Sequence, residues 1–308
     1  MITYNHGGFI AQAIESVLMQ ETDFPVELVI GEDCSTDNTR RIVREYAERY
    51  PNVIHALLPE HNLGMYPNSV AVVNACRGRY IAFLEGDDFW IGTQKLQKQA
   101  DFIDTHSEAS LCFHNVYCCV EHDGAYLLDR LMFDNVRPKT LGISDILGHA
   151  IVPTGSVMIR RSALTFPSEA FESPGPDRFM QAGAALAGAL VYMDEDWGAY
   201  RVHSGGVYSS LDRVKVMQNR LKNLELLHSF LEYRYVKDVR RARSFAHYQI
   251  ALCRDRATVH LALRHALKCL FTWPKHPDVN LFEIVKAVFW HISPAFYSGS
   301  QWIKRFVK

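Results

Sequence analysis

Residues 83 to 90 read Phe-Leu-Glu-Gly-Asp-Asp-Phe-Trp, so Glu85, Asp87 and Asp88 follow directly on the apolar run Tyr80 to Leu84. Three carboxylates at one strand end repel one another and lose hydration together unless a positive charge sits among them. On an extended segment positions i and i+2 leave on the same side, so Glu85 and Asp87 point together and Asp88 points elsewhere. Hard oxygen ligands of this kind suit Mg²⁺ or Mn²⁺, which bind through one or two carboxylates plus substrate phosphates. The implied substrate carries a diphosphate, and the cation would take up charge developing on the departing phosphate oxygen. A second acidic pair, Glu32-Asp33, ends another apolar run, Val26 to Ile30. Acidic loops are also common on ordinary surfaces, so the reading depends on the elements that carry them.

Those elements alternate in type. Phe9, Ala13, Ile14, Val17 and Leu18 recur at helical spacing, Val26 to Ile30 follows as a short buried strand, and Ser35, Thr36 or Asp37 can cap a helix running through Ile42, Val43, Tyr46 and Ala47. Val53 to Leu58 reads as a strand, Pro67 to Cys76 as a helix and Tyr80 to Leu84 as a strand. This βαβα rhythm predicts a parallel sheet with helices on both faces, and such sheets hold ligands at the carboxyl ends of their strands. Both acidic clusters sit at such ends and are expected to face one crevice. Neither a G-x-G-x-x-G nor a G-x-x-x-x-G-K-[ST] pattern occurs, which argues against a dinucleotide fold and a P-loop. Met1 to Tyr4 is short for a central first strand, and Asn5-His6-Gly7-Gly8 already reads as the turn into the first helix; either the strand is a stub or the start was assigned late.

The chain has 308 residues and a formal net charge of −1. Residues 1 to 210 carry 15 Lys+Arg against 27 Asp+Glu, and residues 211 to 308 carry 18 against 7, a change from −12 to +11. That shift predicts a domain boundary near residue 210, with a catalytic domain over 1–210 and a basic, helical region over 211–308. Met217, Leu221, Leu224 and Leu231, then Ile250, Ala257, Leu261, Ala262, Ala266 and Leu270, give the second part its helical period. The seven cysteines form no C-x-x-C pair, so neither a disulfide framework nor a zinc site is expected. The longest apolar run, Ala182 to Met193, is too short to span a bilayer and no signal-peptide pattern opens the chain, so the expected compartment is the cytoplasm.

Three segments together, MITYNHGGFIAQAIESVLMQ, ELVIGEDCSTDNT and ACRGRYIAFLEGDDFW, resemble family-2 glycosyltransferases of the GT-A fold, in order and spacing. The resemblance covers residues 1 to about 210. It implies a Rossmann-like mixed α/β sheet flanked by helices, a nucleotide-diphosphate sugar donor, a Mn²⁺ or Mg²⁺ cofactor and inversion at the transferred sugar. By the same resemblance Thr3, Tyr4 and Asn5 belong to the segment lying against the nucleoside, and Asp33, in Glu32-Asp33-Cys34-Ser35-Thr36-Asp37, matches the acidic residue that accepts a hydrogen bond from uracil. A carboxylate is acceptor-only, which suits a uracil or thymine imide better than cytosine. Asn62 and Gly64 resemble a loop beside the donor. Glu85-Gly86-Asp87 stands for the family's D-x-D, with Glu in place of the usual first Asp, and Asp87 is the implied metal ligand. Asp88 and Trp90, with the segment from Phe166 to Pro176, are expected to read the sugar.

An inverting transfer needs a base that removes the acceptor hydroxyl's proton away from the leaving group. The family places it at the start of a helix following a Thr-Gly-Ser strand, which implies Asp177 after Thr154-Gly155-Ser156. Its flanks, Pro176 and Arg178, depart from the family's usual residues. Tyr200-Arg201-Val202-His203 resembles the family's closing Y-R-x-H segment; His203 would ligate the metal or touch the diphosphate, or serve as a buried structural histidine, and Arg201 would pair with phosphate or an acidic neighbour.

Rival readings differ in class. A nucleotidyltransferase needs an early basic, glycine-rich loop, yet residues 1 to 30 contain no Lys or Arg. A degenerate family member kept as a nucleotide-sugar or partner-binding module is favoured by the short first strand and opposed by the intact Asp33, Asp87, Asp177 and His203. The acceptor is expected to be a glycan or lipid-linked hydroxyl, in surface-polysaccharide or other glycan assembly. In the tail, Phe289, Trp290, Phe296, Tyr297, Trp302 and Phe306 alternate with Lys286, Lys304, Arg305 and Lys308. That pattern fits a peripheral contact with an anionic membrane or plain packing on an acidic domain, and the two stand even. Nucleic acid is not expected as a partner, since no recognised module is present.

Overall fold

A computed structural model describes residues 1–123, 125–133, 140–148, 152–206, 211–252, 264–269 and 283–284. The aromatic and basic residues of 285–308 invoked for a membrane contact lie outside the described residues. The chain divides into two compact units, one made of Met1–Ile146, Ala150–Glu172 and Pro176–Ser210, the other of Leu147–His149, Ser173–Gly175 and Leu211–Lys308.

The first unit begins with β1 (Ile2–Thr3), α1 (Ile10–Leu18), β2 (Leu28–Glu32), α2 (Thr39–Arg49), β3 (Ile54–Leu57), α3 (Met65–Ala75) and β4 (Tyr80–Ala82). Strands β1, β2 and β3 pair in parallel, as the alternation predicts. Ile10, Ala13, Ile14 and Val17 put the apolar stripe of α1 against Leu28, Ile30 and Ile54, and Pro67 is accommodated in the first turn of α3, where its missing N–H costs least. Although β1 has only two residues, it is paired on both sides. Thr3 stands opposite Glu32 of β2, and Ile2 bridges in parallel to Glu85, accepting a hydrogen bond from the Gly86 N–H at 2.9 Å. The stub is what brings the two acidic clusters to neighbouring strand ends.

The unit continues with β5 (Phe89–Trp90), α4 (Lys95–Thr105), β6 (Ala109–Phe113), β7 (Val116–His122), β8 (Ala125–Leu131), β9 (Thr140–Leu141), α5 (Ile143–Leu147), β10 (Met158–Arg160), α6 (Asp177–Ala187), β11 (Ala189–Tyr192) and β12 (Gly198–Val202). One sheet has the order β4-β10-β6-β11-β9, with β10 antiparallel to both neighbours and β11 parallel to β6. Another has the order β5-β12-β7-β8, with β12 parallel to β7 and antiparallel to β5. The architecture is therefore α/β with mixed sheets flanked by helices. Two local expectations are corrected. Thr154–Ser156 is a single 3₁₀ turn, and the strand starts only at Met158; Trp90 Nε1 and Gln99 Nε2 donate to the carbonyls of Gly155 and Ser156, at 2.7 and 2.9 Å, bending the segment before the ladder begins. β4 stops at Ala82: the Phe83 N–H still donates in register to Val157 O at 3.2 Å, but the Val157 N–H turns back to Thr154 O at 3.1 Å and returns no bond to the strand.

In the second unit, Asp212 caps α7 (Arg213–Phe230) by accepting from the Lys215 N–H at 2.8 Å, and α8 (Val236–Ala251) returns after Glu232 and Tyr233, both at positive φ. Tyr248, Ala251, Ala266, Cys269 and Ile284 form its core cluster. Its described elements are helical, as the period predicts. Among the described residues no helix is long and apolar enough to cross a membrane, and Cys34, Cys76, Cys112, Cys118, Cys119 and Cys269 carry free thiols.

Candidate active site

The site is laid on two interlocked loops after β1 and β2. Asn5, at φ 57°, accepts from the Thr36 N–H at 2.8 Å through its Oδ1, and its own N–H donates to Ser35 Oγ at 2.9 Å. Gly7 N–H donates to Asp37 Oδ2 at 2.8 Å, and His6 N–H to Thr39 Oγ1 at 2.8 Å. Left-handed backbone is tolerated best by Gly, Asn and Asp, so Asn5 suits its corner; Cys34 takes the same conformation at φ 59° without that advantage. Tyr4 stays exposed at the strand end.

Glu32 is fully buried, and both its oxygens are engaged: Oε1 accepts from the Ser35 N–H at 2.7 Å, and Oε2 is ion-paired with the Arg40 guanidinium. Asp33, also buried, accepts from the backbone N–H groups of Leu63 and Gly64 at 2.7 and 2.9 Å, while Asn62 Nδ2 donates to its carbonyl at 2.9 Å. Gly64 reaches this position at φ 89°, where an L side chain would be strained. Asp33, Asn62 and Gly64 are thus one hydrogen-bonded knot. Their association was implied by motif resemblance; their mutual bonding was not.

The second cluster lies on a turn and not, as the sequence suggests, on an extended segment: the Asp88 N–H donates to Glu85 O at 3.2 Å. Asp88 turns inward and accepts from the Arg201 N–H at 2.9 Å, tying the carboxylate loop to β12. Burial, then the charges of Asp87 and Glu85, push its pKa well above the carboxylate range. Burial raises Glu85 to about 8, with Asp87 and Asp177 adding to the shift, and its Oε2 is buried with no hydrogen-bond partner. Asp177, first residue of α6, is therefore close enough to Glu85 for their charges to interact, and burial raises its own pKa. Gly86 is required between them by packing: a Cβ there would lie 2.4 Å from Thr3 Oγ1 and 2.6 Å from Thr3 Cβ.

Asp87 faces two imidazoles. Its Oδ2 lies 3.2 Å from His203 Nε2 and 3.5 Å from His6 Nε2, and Thr3 Oγ1 lies 3.2 Å from His6 Nδ1. His203 packs on Phe9, ring centroids 4.8 Å apart. Asn5-His6-Gly7-Gly8 is a turn, as its sequence suggests, and that turn brings the His6 imidazole to Asp87, which no local pattern signals. Arg201 is committed within the protein. Its guanidinium donates to the Asp87 carbonyl and to Gln12 Oε1, and its carbon stands 4.5 and 5.0 Å from the ring centroids of Phe89 and Phe9. That arrangement braces the carboxylate loop from behind.

Among the described residues no group of three or more His, Cys, Asp or Glu side chains stands as a ready metal cage. The donor set nonetheless fits a divalent cation completed by ligand oxygens. Two imidazoles converge on Asp87 Oδ2, and Glu85 Oε2 is buried beside them in charge range with no hydrogen-bond partner.

A mixed α/β fold with carboxylates gathered at the ends of β2 and β4 is that of the GT-A glycosyltransferases. The chain belongs to glycosyl transferase family 2, whose family model matches residues 1–165. An uncharacterised protein of Mycobacterium tuberculosis is 35% identical over 226 residues, 71% of this chain and 63% of that protein, so the match spans less than two thirds of the relative. The structure of residues 1–349 of Staphylococcus aureus TarS in complex with UDP-GlcNAc superposes with a TM-score of 0.55 at 19% identity, covering 94% of this chain and 90% of that one. A Pyrobaculum calidifontis mannosyltransferase in complex with GDP-Man and Mn²⁺ gives 0.57 at 14% identity, covering 98% and 82%.

Proposed function

We propose that this chain is a metal-dependent, inverting glycosyltransferase that moves a sugar from a UDP-sugar to a hydroxyl of a glycan or lipid-linked acceptor. The observation that carries the proposal is the meeting of Glu85, Asp87 and Asp177 at one site, with a Glu85 oxygen buried and unpaired. The neighbours' complexes with UDP-GlcNAc and with GDP-Man and Mn²⁺ support the donor class and the cofactor.

In this reading Asp33 presents its remaining lone pairs to the uracil imide while Leu63 and Gly64 N–H groups hold it in place. Tyr4 offers an exposed ring to the base, and Thr3, Asn5, Asn62, Gly64, Gly86 and Asp88 shape the donor cradle directly or by fixing its loops. Asp87 and His203 would hold a divalent cation, which supplies Lewis-acid stabilisation of charge on the departing diphosphate. Asp177 takes the proton of the acceptor hydroxyl; burial strengthens it as a base by raising its proton affinity. Glu32 and Arg201 serve the donor site through the loops they clamp.

Turnover of a UDP-sugar panel with Mn²⁺, on the wild type and on Asp177→Asn, tests the proposal. Loss of the base should lower turnover by about 10²-fold or more while leaving UDP affinity within a few-fold. An Asp177→Asn protein that turns over at the wild-type rate would contradict the assignment.

A further inference from the structure

Arg201 does more than clamp a loop. It is buried at 3% exposure and keeps its charge, yet every described group that touches its guanidinium is neutral. Nη1 donates to the Asp87 carbonyl and Nη2 to Gln12 Oε1, while Phe9, Phe89 and Tyr126 surround it with centroids 5.0, 4.5 and 5.8 Å away. Nε is buried with no partner. A guanidinium has donors only, so the Gln12 atom that meets it must be the amide oxygen. Asp88 takes the backbone N–H of Arg201, at 2.9 Å, and not the guanidinium. Burial lowers the guanidinium's pKa and the charges of Asp88 and Asp87 oppose that, so both carboxylates lie within its field.

Gln12 is the third residue of α1, on the exposed side away from the buried stripe of Ile10, Ala13, Ile14 and Val17. Both local effects favour a carboxylate at this position. The first turn of a helix gains from negative charge, the first turn of α1 carries none, and a glutamate oxygen would pair with Arg201 directly. The isosteric amide gives up both. What it leaves is a fixed cation behind the Glu85-Gly86-Asp87-Asp88 loop that no contacting group neutralises. Resting on the nucleotide-diphosphate reading above, we propose that Gln12 is a positioning residue: it holds Arg201 in place without cancelling its charge, so that the guanidinium's field draws the diphosphate to the site. The loss falls on stability and the gain on donor affinity.

The test uses the full chain as wild type, Gln12→Glu and Gln12→Leu, each titrated with UDP without added metal at about 25 mM and about 500 mM NaCl. Ligand-observed NMR reads the affinity, and thermal unfolding is followed beside it. Gln12→Glu keeps an acceptor for Arg201 and adds only charge. It is expected to unfold no lower than the wild type, to bind UDP at least about three-fold more weakly at low salt, and to match the wild type at high salt. Gln12→Leu adds no charge and should show no such salt-dependent loss. Equal affinity of Gln12→Glu and wild type at low salt, a loss that persists at high salt, or the same salt-dependent loss in Gln12→Leu would overturn the role of Gln12 alone. So would wild-type UDP binding that appears only with Mn²⁺, because a fixed guanidinium acts without metal. A wild type that binds no UDP, with or without Mn²⁺, would overturn the donor reading as well.

Discussion

At the scale of single residues, the fold places charge where solvent cannot reach it. Lys95 in α4 is fully buried, with Nζ 4.0 Å from the Trp90 ring centroid and 2.7 Å from Gln99 Oε1. Burial pulls its pKa down to about 7. Between about pH 7 and the ordinary lysine value near 10.4, the unfolded chain therefore holds a proton that the folded one has released, so stability from this residue rises with pH and is lost as pH falls. The wild type should gain on Lys95→Met by up to about 1.4 kcal/mol per pH unit through that window, read from denaturant unfolding at pH 7, 8 and 9; a gap independent of pH would refute the buried-charge account. Gly86 gives a second prediction. A methyl group there meets Thr3 at 2.4 Å, so Gly86→Ala should cost about 1–3 kcal/mol of stability and weaken nucleotide binding by displacing the loop, both measurable on one preparation. The carboxylates were legible in the sequence because clustered like charges at an apolar run's end need a partner. Lys95 was not, since nothing in Gly-Thr-Gln-Lys-Leu-Gln separates a buried lysine from a surface one.

At the scale of elements, the alternating pattern of residues 1 to 84 was legible because each segment shows its own apolar period. The hairpin of β7 and β8 was not: β8 is mostly exposed on both faces, with Leu127 and Leu128 open to solvent, so it lacks the in-out alternation that marks a half-buried strand. The turn at Thr154–Ser156 reads as strand in the sequence because its bend comes from Trp90 and Gln99, both distant in sequence. Tertiary contacts also explain β12. Past its two-residue pairing with β5, its Arg201 N–H is taken by Asp88, so Asp88→Ala should free the end that carries His203. The expected outcome is faster hydrogen exchange at the Arg201 amide and a stability loss of about 1–3 kcal/mol, whereas unchanged exchange would mean that the β7 and β5 ladders hold β12 unaided. Asp33→Asn should loosen the 62–64 loop in the same way, by setting an amide NH₂ against backbone donors that need an acceptor.

At the scale of the whole molecule, the two compact units fall close to the change in charge, acidic over residues 1–210 and basic over residues 211–308. The family and its α/β fold could be read from three short motifs, because donor chemistry concentrates at strand ends that neighbour one another only when β1, however short, lies between β2 and the Glu85 segment. His6 could not be read that way. Its relation to Asp87 exists only once the chain closes on itself. The central claim is that the carboxylates after β4 hold a cation against a nucleoside diphosphate. Calorimetry of UDP with and without Mn²⁺, on the intact chain and on Asp87→Ala, tests it most directly. The account predicts UDP binding that Mn²⁺ strengthens at least about ten-fold in the wild type and no longer strengthens in Asp87→Ala. UDP binding equally tight with and without metal in both proteins would contradict it.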